Sequence, residues 1–147
     1  MDSRLDYKKV APQALEAMSR LESYVKQTNL ERSLLELVRI RASQINSCAY
    51  CLDMHTKDAR AAGESEQRLY LLDAWRESPF YTERERAAFS WTEAVTEISE
   101  TSVPDKVYQD VRREFTEKEL VELTMAIVAI NGWNRLAISF RSMPSAY

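Results

Sequence analysis

Both cysteines of the sequence and its only histidine lie within eight positions of one another, at Cys48, Cys51 and His55. Cysteine and histidine are among the side chains that most often carry out redox, acid–base or metal chemistry in proteins. On a helix, the three residues would occupy positions i, i+3 and i+7 and lie on one face within two turns. The spacing therefore predicts a helix face that carries both a dithiol and a base.

The chemistry expected of this face depends on the thiolate, which is the reactive form of cysteine. A helix N-terminus, a paired thiol and a histidine one turn away each favour the thiolate. His55 follows Cys51 by four residues, so its ring can reach that sulfur directly or through a water, as a general base must. By the helix dipole alone, Cys48 would be the more acidic of the two thiols.

Two other interpretations of these residues stay open at this point. Cysteines in a helix are sometimes only small buried residues, and a single histidine is usually a surface or structural residue. Zinc is the sharper alternative, because Cys48, Cys51, His55 and an acidic residue would supply four ligands. Structural zinc sites usually use two separated pairs of ligands, however, and the sequence has no second Cys/His pair. We therefore expect no metal at this site.

The elements that must position these residues are all predicted to be helices. Apolar residues recur at helical spacing, only two glycines and four prolines occur, and no segment shows the alternation of a strand. Thr82 with Glu85, and Thr116 with Glu119, form capping-box patterns that predict two helix starts. The fold class is therefore all-α, with six to seven helices expected at about residues 11–26, 30–46, 48–62, 65–76, 82–99, 104–112 and 116–140.

The last predicted helix is apolar almost all round between Leu123 and Ile130, which implies neighbours on most sides. We expect some of those neighbours to belong to another subunit, so the protein is predicted to be a homo-oligomer. Asn134 and Arg135 interrupt the apolar pattern, which indicates buried hydrogen bonding at such a subunit contact.

Composition limits the classes of function. A length of 147 residues suits one domain over residues 1–147, and 45% hydrophobic with 29% charged residues is an ordinary globular composition. The net charge of −3 comes from well-mixed charges and offers no basic surface for nucleic acid. No stretch predicts a membrane span or a signal peptide. We therefore expect a cytoplasmic protein, in which two cysteines three apart form a working dithiol rather than a structural disulfide.

The pattern Glu-x11-Cys-x-x-Cys-x-x-x-His, formed here by Glu36, Cys48, Cys51 and His55, resembles the signature of the alkylhydroperoxidase AhpD-like group in the carboxymuconolactone decarboxylase superfamily. The pattern is fairly specific, because it fixes four chemical types over twenty positions. Three further stretches, at residues 37–46, 85–88 and 130–135, resemble one-domain members of the group. The resemblance covers most of the chain, with a motif core at about residues 30–76.

The resemblance implies an all-helical fold and a thiol peroxidase that uses no haem, flavin or metal. It implies that the Cys51 thiolate attacks the O–O bond of a hydroperoxide, and that Cys48 then resolves the sulfenic acid to a disulfide. Glu36 and His55 would form the proton relay, although the context of Glu36 in the sequence indicates only a solvated helix residue. We assign exchange with the outside reductant to Cys48. The implied partners are a hydroperoxide, a lipoyl-type or thioredoxin-type dithiol, and further copies of the chain, often as a hexamer.

One departure from the pattern keeps other functions open. Some members have a second histidine between the cysteines where this sequence has Tyr50, so weak turnover with peroxide is expected. A thiol redox sensor or a protein disulfide-exchange module would use the same dithiol without peroxide turnover. Decarboxylase or lactone chemistry is a more distant alternative, because it would leave the dithiol without a task.

Overall fold

The computed structural model describes residues 1–146, and every regular element in that range is helical, as predicted. The domain predicted over residues 1–147 extends to Tyr147, which lies outside the described residues. The α-helices are α1 (Tyr7–Val10), α2 (Pro12–Lys26), α3 (Arg32–Ile45), α4 (Ala49–Ala61), α5 (Glu66–Tyr70), α6 (Glu83–Thr96), α7 (Ile98–Thr101), α8 (Asp105–Glu114) and α9 (Glu117–Phe140).

The structure differs from the predicted six to seven helices in its short elements. The helix expected over residues 65–76 is instead the short α5, followed by a 3₁₀ turn at Leu72–Ala74. Leu69, Leu72 and Trp75 are buried at intervals of three residues. A 3₁₀ helix has three residues per turn, so side chains three positions apart point in the same direction. An α-helix has 3.6 residues per turn, so the same side chains would gradually turn away from the core. Helices α1 and α7, which the sequence did not predict as separate elements, are single turns.

Helix α3 lies at the centre of the molecule and packs against α4, α6 and α9. Its residues Leu37 and Ile40 belong to one hydrophobic cluster, together with Phe89 of α6. Its Val38 belongs to a second cluster, together with Leu123 of α9. Because neighbours surround most of α3, charged side chains in its middle have little access to water and must find partners inside the protein.

Both predicted capping boxes are present. Thr82 and Glu85 exchange side-chain and backbone hydrogen bonds at the start of α6, and Thr116 and Glu119 do the same at the start of α9. Helix α4 also ends where predicted, because Gly63 follows its last turn with a φ of 96°. None of the helices formed by residues 1–146 is both long enough and apolar enough to cross a membrane.

The apolar part of α9, residues 123–130, is covered mainly by its own chain. Leu123, Ile127 and Ile130 are buried there, whereas Val128 is 46% exposed. The prediction of neighbours on most sides is therefore correct, and one apolar side chain of this segment still faces outward.

Asn134 is fully buried in α9 and hydrogen bonds to the end of α3. Its amide oxygen accepts from Asn46 Nδ2 at 2.9 Å, and its Nδ2 donates to Ser43 Oγ at 3.0 Å. The predicted buried hydrogen bonding is therefore present, and it forms within one chain. Its location at a subunit contact stays a prediction. These bonds tie α9 to the segment that leads into the cysteines.

Candidate active site at the Cys48–Cys51 disulfide

Helices α3 and α4 meet at a joint of three residues, Asn46, Ser47 and Cys48. Ser47 has a left-handed backbone with a φ of 56°. The Ser47 N–H donates to the Gln44 carbonyl at 3.1 Å, and the Cys48 N–H donates to the Ser43 carbonyl at 3.0 Å. This pair of bonds is a Schellman motif, which ends α3 and fixes the backbone of the first cysteine.

Cys48 also begins α4, since it is the N-cap residue and its Sγ accepts a hydrogen bond from the Cys51 N–H at 3.4 Å. It therefore lies one position before the first turn in which the sequence placed it, because the Schellman motif holds its backbone outside the helix. The structure joins Cys48 and Cys51 in a disulfide, with the two Cα atoms 5.4 Å apart. Both residues are only 1% exposed.

A cavity of about 340 Å³ adjoins the disulfide. Cys51 forms part of its wall, whereas Cys48 does not. Helices α1, α2, α3 and α9 supply most of the remaining wall, with Tyr7, Leu15, Glu22, Arg39 and Trp133 among its residues. Of the two residues of the disulfide, only Cys51 therefore borders the space that a small molecule could occupy.

His55 and Glu36 also line this cavity, and their side chains form a hydrogen bond of 3.0 Å between Nδ1 and Oε2. A carboxylate only accepts hydrogen bonds, so the ionised Glu36 requires the proton on Nδ1 and leaves Nε2 as the basic nitrogen of a neutral ring. Both residues are 8% exposed. The interpretation of Glu36 as a solvated residue is therefore wrong, because α4 and its other neighbours cover this side of α3.

The pKa of Glu36 reflects opposing influences. Burial raises the pKa of its carboxyl group, but the hydrogen bond from His55 and the positive charge of Arg39 outweigh burial. The pKa of Glu36 therefore lies below its usual range, and the carboxylate is ionised at neutral pH. An ionised Glu36 is the form that can hold the His55 ring in the tautomer described above.

Sequence reasoning did not single out Arg39 and Glu22 as parts of this site. Arg39 donates to Glu36 Oε1 at 2.7 Å and forms a further ion pair with Glu22 of α2. The other oxygen of Glu22 accepts from Trp133 Nε1 at 3.3 Å. The available signal was a charged residue three positions after Glu36 in the mainly apolar α3, but the sequence does not show that this helix is enclosed.

The arrangement also bears on metal binding. The zinc set considered for Cys48 and Cys51 is not assembled in this oxidised state, since the two sulfurs are bonded to each other. Glu36, His55 and Asp58 offer ligand atoms that lie within 4.8 Å of one another. Arg39 already donates a hydrogen bond to the Glu36 carboxylate. A metal ion bound by this group would therefore have to compete with the positively charged guanidinium for Glu36. The donor set is therefore better suited to holding a proton than a metal ion.

Comparison with known proteins shows extensive similarity. The sequence profile of the Carboxymuconolactone decarboxylase family matches residues 12–94. The uncharacterized protein YdfG of Bacillus subtilis (strain 168) is 45% identical over 139 residues, which cover 95% of both chains.

Solved structures extend this similarity to the fold. A protein of unknown function from Agrobacterium tumefaciens, described as a candidate antioxidant defence protein AhpD, is 46% identical and has a TM-score of 0.97 over 99% of this chain and 100% of its own. The debrominase Bmp8 is 19% identical, with a TM-score of 0.79 over 92% of this chain and 73% of its own, and it shares the fold alone. The chain thus belongs to the carboxymuconolactone decarboxylase family and to its AhpD-like members, as the spacing of Glu36, Cys48, Cys51 and His55 indicated.

Proposed function

We propose that this protein is a thiol-dependent peroxidase that reduces a hydroperoxide with the dithiol of Cys48 and Cys51. One observation carries the proposal: the wall of a single cavity contains Cys51, His55 and Glu36. The proposal is supported because a cysteine, an imidazole and a carboxylate bonded to that imidazole border one space, which is the set of groups that nucleophilic attack by a thiol requires.

The proposed reaction starts from the reduced dithiol. His55 Nε2 takes the proton of the Cys51 thiol while Nδ1 stays bonded to Glu36. The thiolate attacks one peroxide oxygen, so an S–O bond forms, the O–O bond breaks, and His55 returns the proton to the departing alkoxide. Cys51 is now a sulfenic acid. The Cys48 sulfur attacks it, releases water and forms the disulfide present in the structure.

Return to the dithiol requires two electrons from an outside dithiol, for which a lipoyl-type or thioredoxin-type compound is proposed. In the oxidised structure Cys51 lines the cavity, whereas Cys48 does not. The incoming thiolate is therefore proposed to attack Cys51, which releases Cys48 as the leaving thiolate. This route differs from the exchange at Cys48 that the sequence suggested, because Cys48 does not line the cavity.

The decisive experiment is a titration of the fully reduced protein with one equivalent of cumene hydroperoxide, followed by thiol counting and intact mass. We expect prompt loss of both thiols and a mass decrease of about 2 Da, because a disulfide forms. Cys51→Ser should consume no peroxide, whereas Cys48→Ser should stop at a sulfenic acid that dimedone labels. Unchanged peroxide consumption in Cys51→Ser would overturn the assignment of the nucleophile.

A disulfide-exchange module or redox sensor is the second candidate, because Tyr50 stands between the two cysteines and a further histidine is missing there. Steady-state turnover separates the two functions. Repeated cycles with cumene hydroperoxide and dihydrolipoamide support a peroxidase. A single stoichiometric oxidation without further cycles, under the same conditions, supports the exchange module.

A further inference from the structure

Arg39 is a buried cation in the middle of α3, only 4% exposed. A buried charge is costly unless it is paired and hydrogen bonded. Its guanidinium is paired twice, with Glu36 Oε1 at 2.7 Å through one terminal nitrogen and with Glu22 through the other. The planar fork of arginine suits such bridging of two carboxylates, whereas the single ammonium group of lysine does not.

These contacts form one continuous series of hydrogen-bonded side chains along the cavity. It runs from His55 on α4 through Glu36 and Arg39 on α3 to Glu22 on α2, and it ends at Trp133 on α9. All five residues line the cavity that contains Cys51. The orientation of the base at one end therefore depends on contacts with two helices that carry no part of the dithiol.

The two carboxylate oxygens of Glu36 have separate partners. Oε1 accepts from Arg39 and Oε2 accepts from His55 Nδ1. A rotation of the carboxylate away from His55 would therefore also break its bond to Arg39. Glu22 in turn accepts from the other terminal nitrogen of the guanidinium, so any effect of Glu22 on the base passes through Arg39.

We propose that Arg39 and Glu22 are positioning residues, which hold Glu36 against His55 and thereby maintain the reactivity of the Cys51 thiol. The catalytic role that this inference gives to Arg39 and Glu22 rests on the proposed function. It concerns the activation of a thiol, however, and thiol activation can be measured without any peroxide.

The test measures alkylation of the reduced protein by iodoacetamide as a function of pH, in a Cys48→Ser background that leaves a single thiol. In Arg39→Met we expect the midpoint of the pH profile to move upward, with alkylation about tenfold slower near pH 6 and convergence with the parent at alkaline pH. Arg39→Lys should recover only part of this loss, because it restores the charge but not the bridge.

Glu22→Ala distinguishes positioning from simple charge. Removing a carboxylate near a thiol lowers the pKa of the thiol if charge alone acts. If Glu22 acts by holding Arg39, the midpoint should instead rise, with alkylation about threefold slower near pH 6. Glu16→Ala is the matched control, since it removes the same charge from an exposed ion pair on the same helix. It should leave the profile unchanged.

The inference is overturned if Arg39→Met keeps the parent midpoint, or if Glu22→Ala lowers it or leaves it in place. Should Arg39→Met fail to fold, as judged by circular dichroism, Arg39→Lys and Glu22→Ala decide the question. Failure of the proposed function has a different signature. The alkylation profiles would then depend on Arg39 and Glu22 as expected, while the parent protein would consume no peroxide.

Discussion

Glu36 illustrates how one buried side chain depends on its neighbours. It lies in α3, where both of its oxygens are hydrogen bonded and only 8% of the residue is exposed. The spacing to the cysteines and His55 identified it only through the family resemblance. Its burial follows from the packing of several helices around α3, which the pattern of α3 itself does not reveal.

The first prediction concerns stability and pH. Because the pKa of Glu36 is lowered in the folded protein, its ionisation stabilises the fold fully above about pH 4.5, the ordinary value for the group. That stabilisation is lost as the pH falls through the lower, folded value. Glu36→Gln should therefore lower the free energy of unfolding by about 3 kcal/mol at pH 7, and by progressively less below pH 4.5.

Urea unfolding at several pH values between 7 and 3 measures this effect. Glu16→Gln serves as the control, because Glu16 belongs to an exposed ion pair on α2 and should show little change at any of these pH values. A stability difference for Glu36→Gln that stays constant over the whole range would contradict the linkage.

At the scale of the elements, two helix ends share one geometry with different residues. Ser47 and Gly63 both follow a last helical turn with positive φ, at 56° and 96°. Glycine adopts this backbone without steric cost, whereas a residue with a Cβ does so at a cost of about 1 kcal/mol. The sequence predicts both helix ends, at about residues 46 and 62, but only the second carries a glycine that indicates the positive φ, because a serine occupies the same position in the first.

Substitutions at these two positions should have opposite effects. Ser47→Gly should raise the free energy of unfolding by about 0.5–1 kcal/mol, and Gly63→Ala should lower it by about 1 kcal/mol. Ser47 is exposed, so its side chain contributes little packing. Urea denaturation with an unchanged m value measures both effects. Equal signs for the two substitutions would show that φ does not control these helix ends.

The contact of α9 with the α3–α4 joint supplies a further prediction. Asn134→Ala leaves the buried Ser43 Oγ without this partner, whereas Asn46 Nδ2 keeps its hydrogen bond to Asn131 Oδ1 at 3.0 Å, so the substitution should cost about 2 kcal/mol. Ile138→Ala on the same helix is the control, because that side chain is 45% exposed and should cost less than about 1 kcal/mol. Thermal and urea unfolding of both variants give the comparison. Similar costs for the two would show that the buried amide adds no specific stability.

Much of the helix pattern could be predicted from local signals. Capping boxes locate the starts of α6 and α9, and periodicity locates the longer helices. The break after Tyr70 could not be predicted in this way, because it depends on burying Leu69, Leu72 and Trp75 together. The four-residue motif likewise indicates the dithiol and its relay but not Arg39 or Glu22, whose roles depend on contacts between α2 and α3.

For the whole molecule, assembly into a homo-oligomer remains a prediction. Val121 and Val128 lie seven residues apart, on the same face of α9, and are 62% and 46% exposed. Light scattering at micromolar concentration should give a mass that is a multiple of 17.1 kDa. Val128→Glu should reduce that mass while circular dichroism stays unchanged. A monomer mass for the unsubstituted protein would refute the prediction.

The joint between α3 and α4 has a consequence for how the protein can communicate its redox state. Cys48 is held by the end of one helix and the start of the next, and both cysteines are almost completely shielded from solvent. Making or breaking the bond between them changes two atoms one helical turn apart, inside a scaffold that is already fixed. The outer surface can then look the same to a passing protein in either state. Such an arrangement suits a disulfide that stores two electrons for a reaction within this protein better than a redox signal that other proteins recognise.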